Sequence, residues 1–227
     1  MQSTDVTISE QLKGEWRHNA GRERLIILCH GFQSSSENTT IVYMAAALNE
    51  LGYDTFTFNL SPNTGGFDIE QQVHDIEQIT DHFSEYKQLI LLGCSFAALT
   101  TAIATVRLAS VSKLITVNGF FGRGALGGEY RRAYLKFRIA AVALPTYRRI
   151  YRYYKRQLQP EKITVPVLTL HTRLDQQVFI SQSMWFYGKL GDPKKFVEIA
   201  ATNHGITDDT DRDEVVTLID TWLGEGT

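Results

Sequence analysis

The sequence has little of what marks several common classes of protein. No stretch approaches the roughly 18 consecutive apolar residues of a membrane span, and the N-terminus has neither the basic start nor the apolar core of a secretory signal. Repeats, low-complexity tracts and a glycine-rich phosphate loop are also absent. The only cysteines are Cys29 and Cys94, and we expect a reduced pair. We therefore predict a cytoplasmic protein without a transmembrane segment.

Patterns for metal and nucleic-acid binding are missing too. Four histidines show no ligand-like spacing with any cysteine or carboxylate cluster: His18, His74, His82 and His171. We predict no metal and no other cofactor, and, without a recognised nucleic-acid-binding motif, no nucleic-acid partner. The chain does have the material for a core, since 43% of its 227 residues are hydrophobic and 11% are aromatic. This length and composition suit a single domain over residues 1–227.

Short apolar runs alternate with segments of helical spacing along most of the chain. Predicted strands cover residues 25–29, 53–58, 89–92, 113–117, 165–171 and 195–199, and a weaker strand or hairpin uses 6–8 and 15–18. Predicted helices cover residues 40–51, 69–83, 97–109, 180–190 and 214–223. This alternation predicts an α/β fold, with a mostly parallel central sheet flanked by helices. Ligands of such sheets bind beyond the carboxyl ends of the strands.

The apolar run that ends at Ser95 is the most informative segment. Gly93 and Ala97 lie two positions on either side of Ser95, in the pattern G-x-S-x-A. A strand-to-helix turn with small flanking residues exposes a serine hydroxyl above the sheet edge, where it can act as a nucleophile. The alternative role for Ser95 is a helix N-cap. The small residues on both sides favour the nucleophile.

Two loops late in the chain supply an acid and a base. Asp175 and His204 each follow a predicted strand, so that Ser95, Asp175 and His204 occur in the order Ser, Asp, His. The alternative for Asp175 is to cap a helix that starts near Val178. We interpret the acidic residues beyond His204 as a solvated turn that leads into the last helix.

An early segment completes a resemblance to a known family. The predicted strand 25–29 leads into His30, Gly31 and Phe32, which resemble the α/β-hydrolase segment that supplies a backbone N–H to the oxyanion hole. With this segment, residues 20–225 resemble the α/β-hydrolase superfamily, and especially its small serine esterases and lipases. The resemblance implies the α/β-hydrolase fold, in which the strands before Cys29 and Cys94 lie side by side. His30 is expected to hold its loop.

The resemblance also implies a reaction, the hydrolysis of carboxylic esters through an acyl-enzyme on Ser95. His204 would act as the base and Asp175 would orient it, while the backbone N–H groups of Phe32 and Phe96 would bind the oxyanion. A thioesterase or an acyltransferase would use the same residues with another leaving group or acceptor. A binding protein on the same scaffold, without catalysis, is the alternative of another class.

Residues 119–160 interrupt the alternation, and we predict a helical cap there. This segment has ten basic residues against one acidic residue, Glu129, which gives +9 and leaves −11 for the rest of a chain of net charge −2. Pro145 separates a predicted helix at 129–144 from one at 147–158. Together they form a helical hairpin that we expect to lie over the active site.

The helix predicted at 147–158 has two contrasting faces. The apolar face contains Tyr147, Ile150, Tyr151, Tyr154 and Leu158, and the basic face contains Arg148, Arg149, Arg152, Lys155 and Arg156. Three roles remain open for the basic face. In the first role it is a solvated surface that balances the acidic charge of the body, by which we mean the chain outside residues 119–160. In the second it attracts anionic ester substrates, and in the third it attaches the protein peripherally to anionic lipid.

Overall fold

Eight strands form one sheet at the centre of the molecule. The computed structural model describes residues 2–61, 68–123, 127–200 and 203–225, without the side chains of residues 128–130, 133 and 147. The strands are β1 (Gln2–Thr7), β2 (Lys13–His18), β3 (Arg24–Cys29), β4 (Asp54–Phe58), β5 (Gln88–Cys94), β6 (Val111–Val117), β7 (Val167–Thr172) and β8 (Lys194–Ile199). Their order is β1-β2-β4-β3-β5-β6-β7-β8. The pairs β1–β2 and β2–β4 are antiparallel and the other pairs are parallel.

Helices cover both faces of the sheet, as its apolar strands require. They are α1 (Thr39–Glu50), α2 (Ile69–His82), α3 (Ala97–Arg107), α4 (Gly128–Ala143), α5 (Pro145–Gln157), α6 (Ser181–Lys189) and α7 (Asp209–Gly224). One core layer contains buried residues of α2, α3, α4, α5 and α6, and the other contains those of α1 and α7. Among the described residues, no helix is both long and apolar enough to cross a lipid bilayer. The predicted alternation of strands and helices is confirmed.

The last helix begins earlier than its apolar spacing predicts. It starts at Asp209 and not at Glu214. The Asp208 carboxylate caps it by accepting a hydrogen bond from Thr210 N at 2.9 Å, and Asp209 and Asp211 lie in its first turn, where negative charge stabilises the helix dipole. The interpretation of this acidic stretch as a turn before the helix was wrong.

A helical hairpin follows β6 at the predicted place. Helices α4 and α5 meet at Leu144, which ends one and precedes the other, and Pro145 occupies the first turn of α5, where its missing N–H costs nothing. Phe137 of α4 and Ile150 of α5 are buried in the core. The aromatic and aliphatic inner face of the hairpin thus joins the core layer on this side of the sheet, where α5 packs against α2.

Lys155, which was predicted on the basic face of α5, turns toward the apolar face. The Lys155 ammonium lies over the rings of Tyr151 and Tyr154, 5.7 Å and 5.2 Å from their centroids. Its position between the two faces lets the lysine stem turn inward onto the rings. Burial, together with the neighbouring charges of Arg123 and Arg138, lowers the pKa of Lys155 to about 8. The grouping of Lys155 with the solvated arginines was therefore wrong.

Candidate active site

Ser95 occupies a tight turn between β5 and α3. Its φ of 54° lies in the left-handed region, which a residue other than glycine adopts only where its surroundings hold it there. Two hydrogen bonds to β6 and the loop after it fix the turn, from Ser95 N to Val117 O at 2.8 Å and from Phe120 N to Ser95 O at 2.9 Å. The side chain is thereby directed above the carboxyl edge of the sheet.

Small flanking residues make this turn possible. A Cβ added at Gly93 would lie 2.3 Å from Thr101 Oγ1 and 2.7 Å from the carbonyl oxygen of Ala97. Such distances are far below van der Waals contact, so β5 and α3 approach this closely only with glycine at 93. Ala97 itself is completely buried in the first turn of α3.

The Ser95 hydroxyl contacts an imidazole and does not cap the helix. His204 Nε2 lies 2.8 Å from Ser95 Oγ, whereas the N-cap position of α3 is Phe96, without a side-chain capping bond. In the structure the Ser95 hydroxyl therefore faces the imidazole, and the N-cap position falls on the next residue.

Asp175 contacts the other nitrogen of the same imidazole. Its Oδ2 lies 2.5 Å from His204 Nδ1, and its side chain is fully buried. Its Oδ1 accepts hydrogen bonds from Gln177 N at 2.8 Å and Val178 N at 2.9 Å. One carboxylate therefore faces the histidine and also caps the following turn. With the proton of His204 on Nδ1, facing Asp175, Nε2 is left to accept from the Ser95 hydroxyl.

Asn118 holds the histidine loop, a role that the sequence patterns did not reveal. Its Nδ2 donates to the carbonyl oxygen of His204 at 2.8 Å, and its Oδ1 accepts from Thr172 N at 2.7 Å. Its φ of 49° suits asparagine better than most residues. The signal in the sequence is an Asn-Gly pair immediately after a predicted strand. Arg212 also holds this loop, through a 3.0 Å bond from Nε to the carbonyl oxygen of Ile206.

A second buried histidine lies beneath Asp175. His171 Nε2 is 2.8 Å from the carbonyl oxygen of Val178, and Nδ1 is 2.7 Å from Ser183 Oγ. The carbonyl can only accept, so Nε2 carries the proton and Nδ1 accepts from the hydroxyl. Burial lowers the pKa of His171 from 6.5, which favours this neutral form. Asp175 Oδ2, 3.6 Å from His171 Nε2, is left to His204.

The loop after β3 approaches Ser95 from the other side. A Cβ added at Gly31 would lie 2.9 Å from the Cβ of Ser95, so the backbone passes directly beside the nucleophile turn. His30 secures this loop, because its Nε2 accepts a hydrogen bond from Leu60 N at 3.1 Å and its Nδ1 lies 2.9 Å from the carbonyl oxygen of Gly31. The rings of Phe32 and Phe96 lie 6.0 Å apart between centroids.

The cleft beside Ser95 is neutral in lining and has a volume of about 250 Å³. Polar side chains such as Gln33, Ser34 and Asn38 share it with apolar ones such as Ile41 and Met44. Among the described residues that line it, none is Lys, Arg, Asp or Glu. The cleft therefore suits an uncharged group beside the serine.

The two cysteines are free thiols near the site. Burial raises the pKa of Cys94, which lines the cleft, to about 12, and it raises that of Cys29 too. Neither thiol ionises near neutral pH, so neither competes with the serine as a nucleophile. Within the described part of the chain, no three His, Cys, Asp or Glu side chains come together as a metal site.

A mostly parallel eight-stranded sheet, with a serine at a strand-to-helix turn and a histidine and an acid on later loops, is typical of the α/β-hydrolase fold. Solved structures match it over nearly the whole chain. Est1E from Butyrivibrio proteoclasticus is 17% identical, with a TM-score of 0.75 and 98% of both chains covered. Mouse alpha/beta hydrolase domain-containing protein 10 is 17% identical, with a TM-score of 0.75 and 99% of both chains covered. The esterase domain of a Rhodothermus marinus protein is 16% identical, with a TM-score of 0.73 and 98% of both chains covered.

No protein-family model matches the chain, and no curated protein matches it either. At 16–17% identity the solved structures establish the fold. The chain has the α/β-hydrolase fold, and the resemblance inferred from its motifs is confirmed at that level.

Proposed function

We propose that the protein is a serine hydrolase that cleaves carboxylic esters through an acyl-enzyme on Ser95. The observation that carries this proposal is the continuous hydrogen-bonded path from Ser95 Oγ through His204 to Asp175. A serine hydroxyl needs a base to become nucleophilic near neutral pH, and this path supplies one. The open cleft beside Ser95 gives a substrate access to this hydroxyl.

The geometry accounts for each step of ester cleavage. Ser95 Oγ attacks the carbonyl carbon while His204 Nε2 takes its proton. The tetrahedral intermediate then expels the alcohol, which leaves with that proton. Water next attacks the acyl-serine, giving its proton to His204, and the carboxylic acid leaves as Ser95 regains the proton. Asp175 holds the ring and stabilises the imidazolium that forms twice in this cycle.

The oxyanion would be bound by the backbone N–H groups of Phe32 and Phe96. The closeness of Gly31 to the Ser95 turn supports this assignment, because it brings the two loops together beside the nucleophile. Losing one such donor costs about 2.7 to 4 kcal/mol of transition-state stabilisation. The two phenylalanines would thus act through their backbone.

Two observations support the proposed substrate class, the lining of the cleft and the names of the structural neighbours. The neutral lining beside Ser95 favours an ester whose acyl group carries no charge. Est1E, one of the proteins with this fold, has been solved with ferulic acid bound, and an esterase domain is another. Both support an ester as the substrate of this chain.

A fluorophosphonate probe tests the proposal directly. The native protein should be labelled at Ser95 and should hydrolyse short p-nitrophenyl esters. The Ser95→Ala variant should lose both, with a fall in kcat on the order of 10⁶, while Ser84→Ala, a change at an exposed serine, should keep both. Labelling at another serine, or Ser95→Ala activity within about tenfold of wild type, would overturn the assignment of the nucleophile.

A further inference from the structure

We propose that the tip of the α4–α5 hairpin, residues 135–149, docks the protein onto anionic lipid bilayers. Four large apolar side chains of this tip are exposed: Leu135 at 55%, Ile139 at 61%, Val142 at 74% and Leu144 at 49%. Eight such side chains are exposed in the described part of the chain, so half of them fall within ten residues. Concentration of this kind marks an interaction surface, whereas single exposed apolar residues do not.

The exposed side chains form one stripe on α4. Leu135, Ile139 and Val142 follow the i, i+4, i+7 spacing of a single helix face. Phe137 and Ala141 face the core from the same helix. The inner face therefore packs α4 against the rest of the protein, and the stripe stays exposed to solvent in the folded chain.

Basic side chains flank the stripe on α4, and further basic side chains lie along α5. They are Arg131, Arg132, Lys136 and Arg138 on α4, and Arg149, Arg152 and Arg156 on α5, all exposed. Within the described residues, none of them forms an ion pair with a carboxylate. Arg148 is used differently, because its guanidinium donates to the carbonyl oxygen of Val142 and caps the end of α4. Apolar side chains with unpaired cations around them are the features of a helix that lies in a membrane interface.

The charge distribution favours lipid over a second copy of the chain. Residues 119–160 carry +9 and the remainder carries −11. A symmetric dimer through the tip would bring two strongly basic surfaces together, which like-charge repulsion opposes. An anionic bilayer attracts the basic hairpin and repels the acidic body, so the same asymmetry would orient the molecule with its tip toward the lipid.

The hairpin connects the tip to the serine turn through stacked rings. Phe96, the residue after Ser95, stacks on Phe120 with 5.5 Å between centroids, and Phe120 contacts the edge of Tyr134 on α4 at 5.4 Å. Docking through the tip would hold the Ser95 cleft at a fixed position near the bilayer. The docking itself does not depend on the proposed hydrolase activity.

Flotation with lipid vesicles tests the docking on the full chain. Wild-type protein should float with vesicles of phosphatidylcholine and phosphatidylserine, should float far less with phosphatidylcholine alone, and should be released by salt. The double variant Ile139→Ser with Val142→Ser should bind the anionic vesicles at least about tenfold more weakly, since it removes two exposed apolar side chains that would enter the bilayer. Leu51→Ser, a change of another exposed leucine at 47%, should bind as wild type does.

Two further measurements keep the test decisive. Arg149→Glu with Arg152→Glu should weaken binding without touching the apolar stripe, and its melting temperature should match that of wild type because both side chains are exposed. Ser95→Ala should bind vesicles as wild type does, which separates docking from catalysis. Wild type that fails to float, binding equal on both lipid compositions, or a dimer in sedimentation that Ile139→Ser with Val142→Ser dissolves would each overturn the proposal.

Discussion

At the scale of single residues, Asp175 performs two tasks with its two oxygens. Oδ2 faces His204, and Oδ1 accepts from two backbone N–H groups. Asp175→Asn keeps a carbonyl oxygen for those N–H groups but turns an amide N–H toward His204 Nδ1, which forces the wrong imidazole tautomer. We expect kcat to fall about 10⁴-fold while the melting temperature stays close to that of wild type.

The matched control for this variant is Asp175→Ala. It should lose the rate and also the two backbone hydrogen bonds, so its melting temperature should fall as well. Steady-state kinetics and thermal melts of the two variants separate the roles. Near-normal kcat in Asp175→Asn would mean that the capping bonds are the residue's only task.

The residues brought together around Ser95 were predictable to different degrees. Ser95, Asp175 and His204 each follow a predicted strand, and parallel strands end at one edge of a sheet, so their meeting was expected from the sequence. Asn118 was missed because it acts through the backbone carbonyl oxygen of His204, and no side-chain motif marks a contact of that kind. His171 was missed because its support for the loop of Asp175, a hydrogen bond to the carbonyl oxygen of Val178, exists only once that loop folds over the strand.

At the scale of secondary-structure elements, the crossing of β5 and α3 depends on Gly93. Gly93→Ala would place a methyl group 2.3 Å from Thr101 Oγ1 and 2.7 Å from Ala97 O, so the helix must shift. Overpacking of this kind costs about 1–3 kcal/mol of unfolding free energy. Because Phe96 is the N-cap of α3, a shift of the helix should also lower kcat. Chemical denaturation measures the stability and ester hydrolysis measures kcat on the same samples.

A second substitution shows which atom resists the shift. Adding Thr101→Ala to Gly93→Ala removes the closest side-chain atom but leaves the Ala97 carbonyl oxygen in place. The double variant should therefore regain only part of the lost stability. Full recovery would show that the backbone tolerates the methyl group, and unchanged stability in Gly93→Ala alone would contradict the steric argument.

The elements themselves were predictable because hydrophobic periodicity is local. All six strands expected with a clear apolar run form, and the weaker hairpin becomes β1 and β2. The ends were less predictable, as the start of α7 shows, because there capping by Asp208 outweighs the apolar spacing. The position of Lys155 also required the tertiary structure, since helical spacing alone does not decide which way a border residue turns.

At the scale of the whole molecule, buried histidines link stability to pH. Burial lowers the pKa of His30 and His171 below 6.5, so the folded state holds their protons more weakly than the unfolded chain does. The contribution of the two neutral histidines to the free energy of unfolding is fully present above pH 6.5. It is lost as the pH falls from 6.5 toward their lowered pKa values in the folded protein. We expect the melting temperature to fall with acidification in this range. His171→Gln should flatten the slope, and an equally steep slope in that variant would assign the effect to other groups.

The opposite charges of the hairpin and the body bear on substrate choice as well. The arginines of α5 line a groove beside Glu70 and are absent from the described lining of the Ser95 cleft. Any attraction of an anionic ester must then act at a distance, where physiological salt screens charges beyond about 8 Å. The role of the arginines as a substrate-binding surface is thus the least favoured of the three that the sequence left open.

A pair of p-nitrophenyl esters of equal length tests whether the basic face selects the substrate. One ester is neutral, and the other has a carboxylate at the end of its acyl chain. We expect the ratio of their kcat/KM values to change by less than about twofold when Arg149 and Arg152 are replaced by glutamine, and to change as little when salt shortens the screening length. The reason is that the neutral cleft, and not the basic face, contacts the acyl group. A KM that rises for the carboxylate ester alone, in the variant and in salt alike, would show that the basic face attracts the substrate.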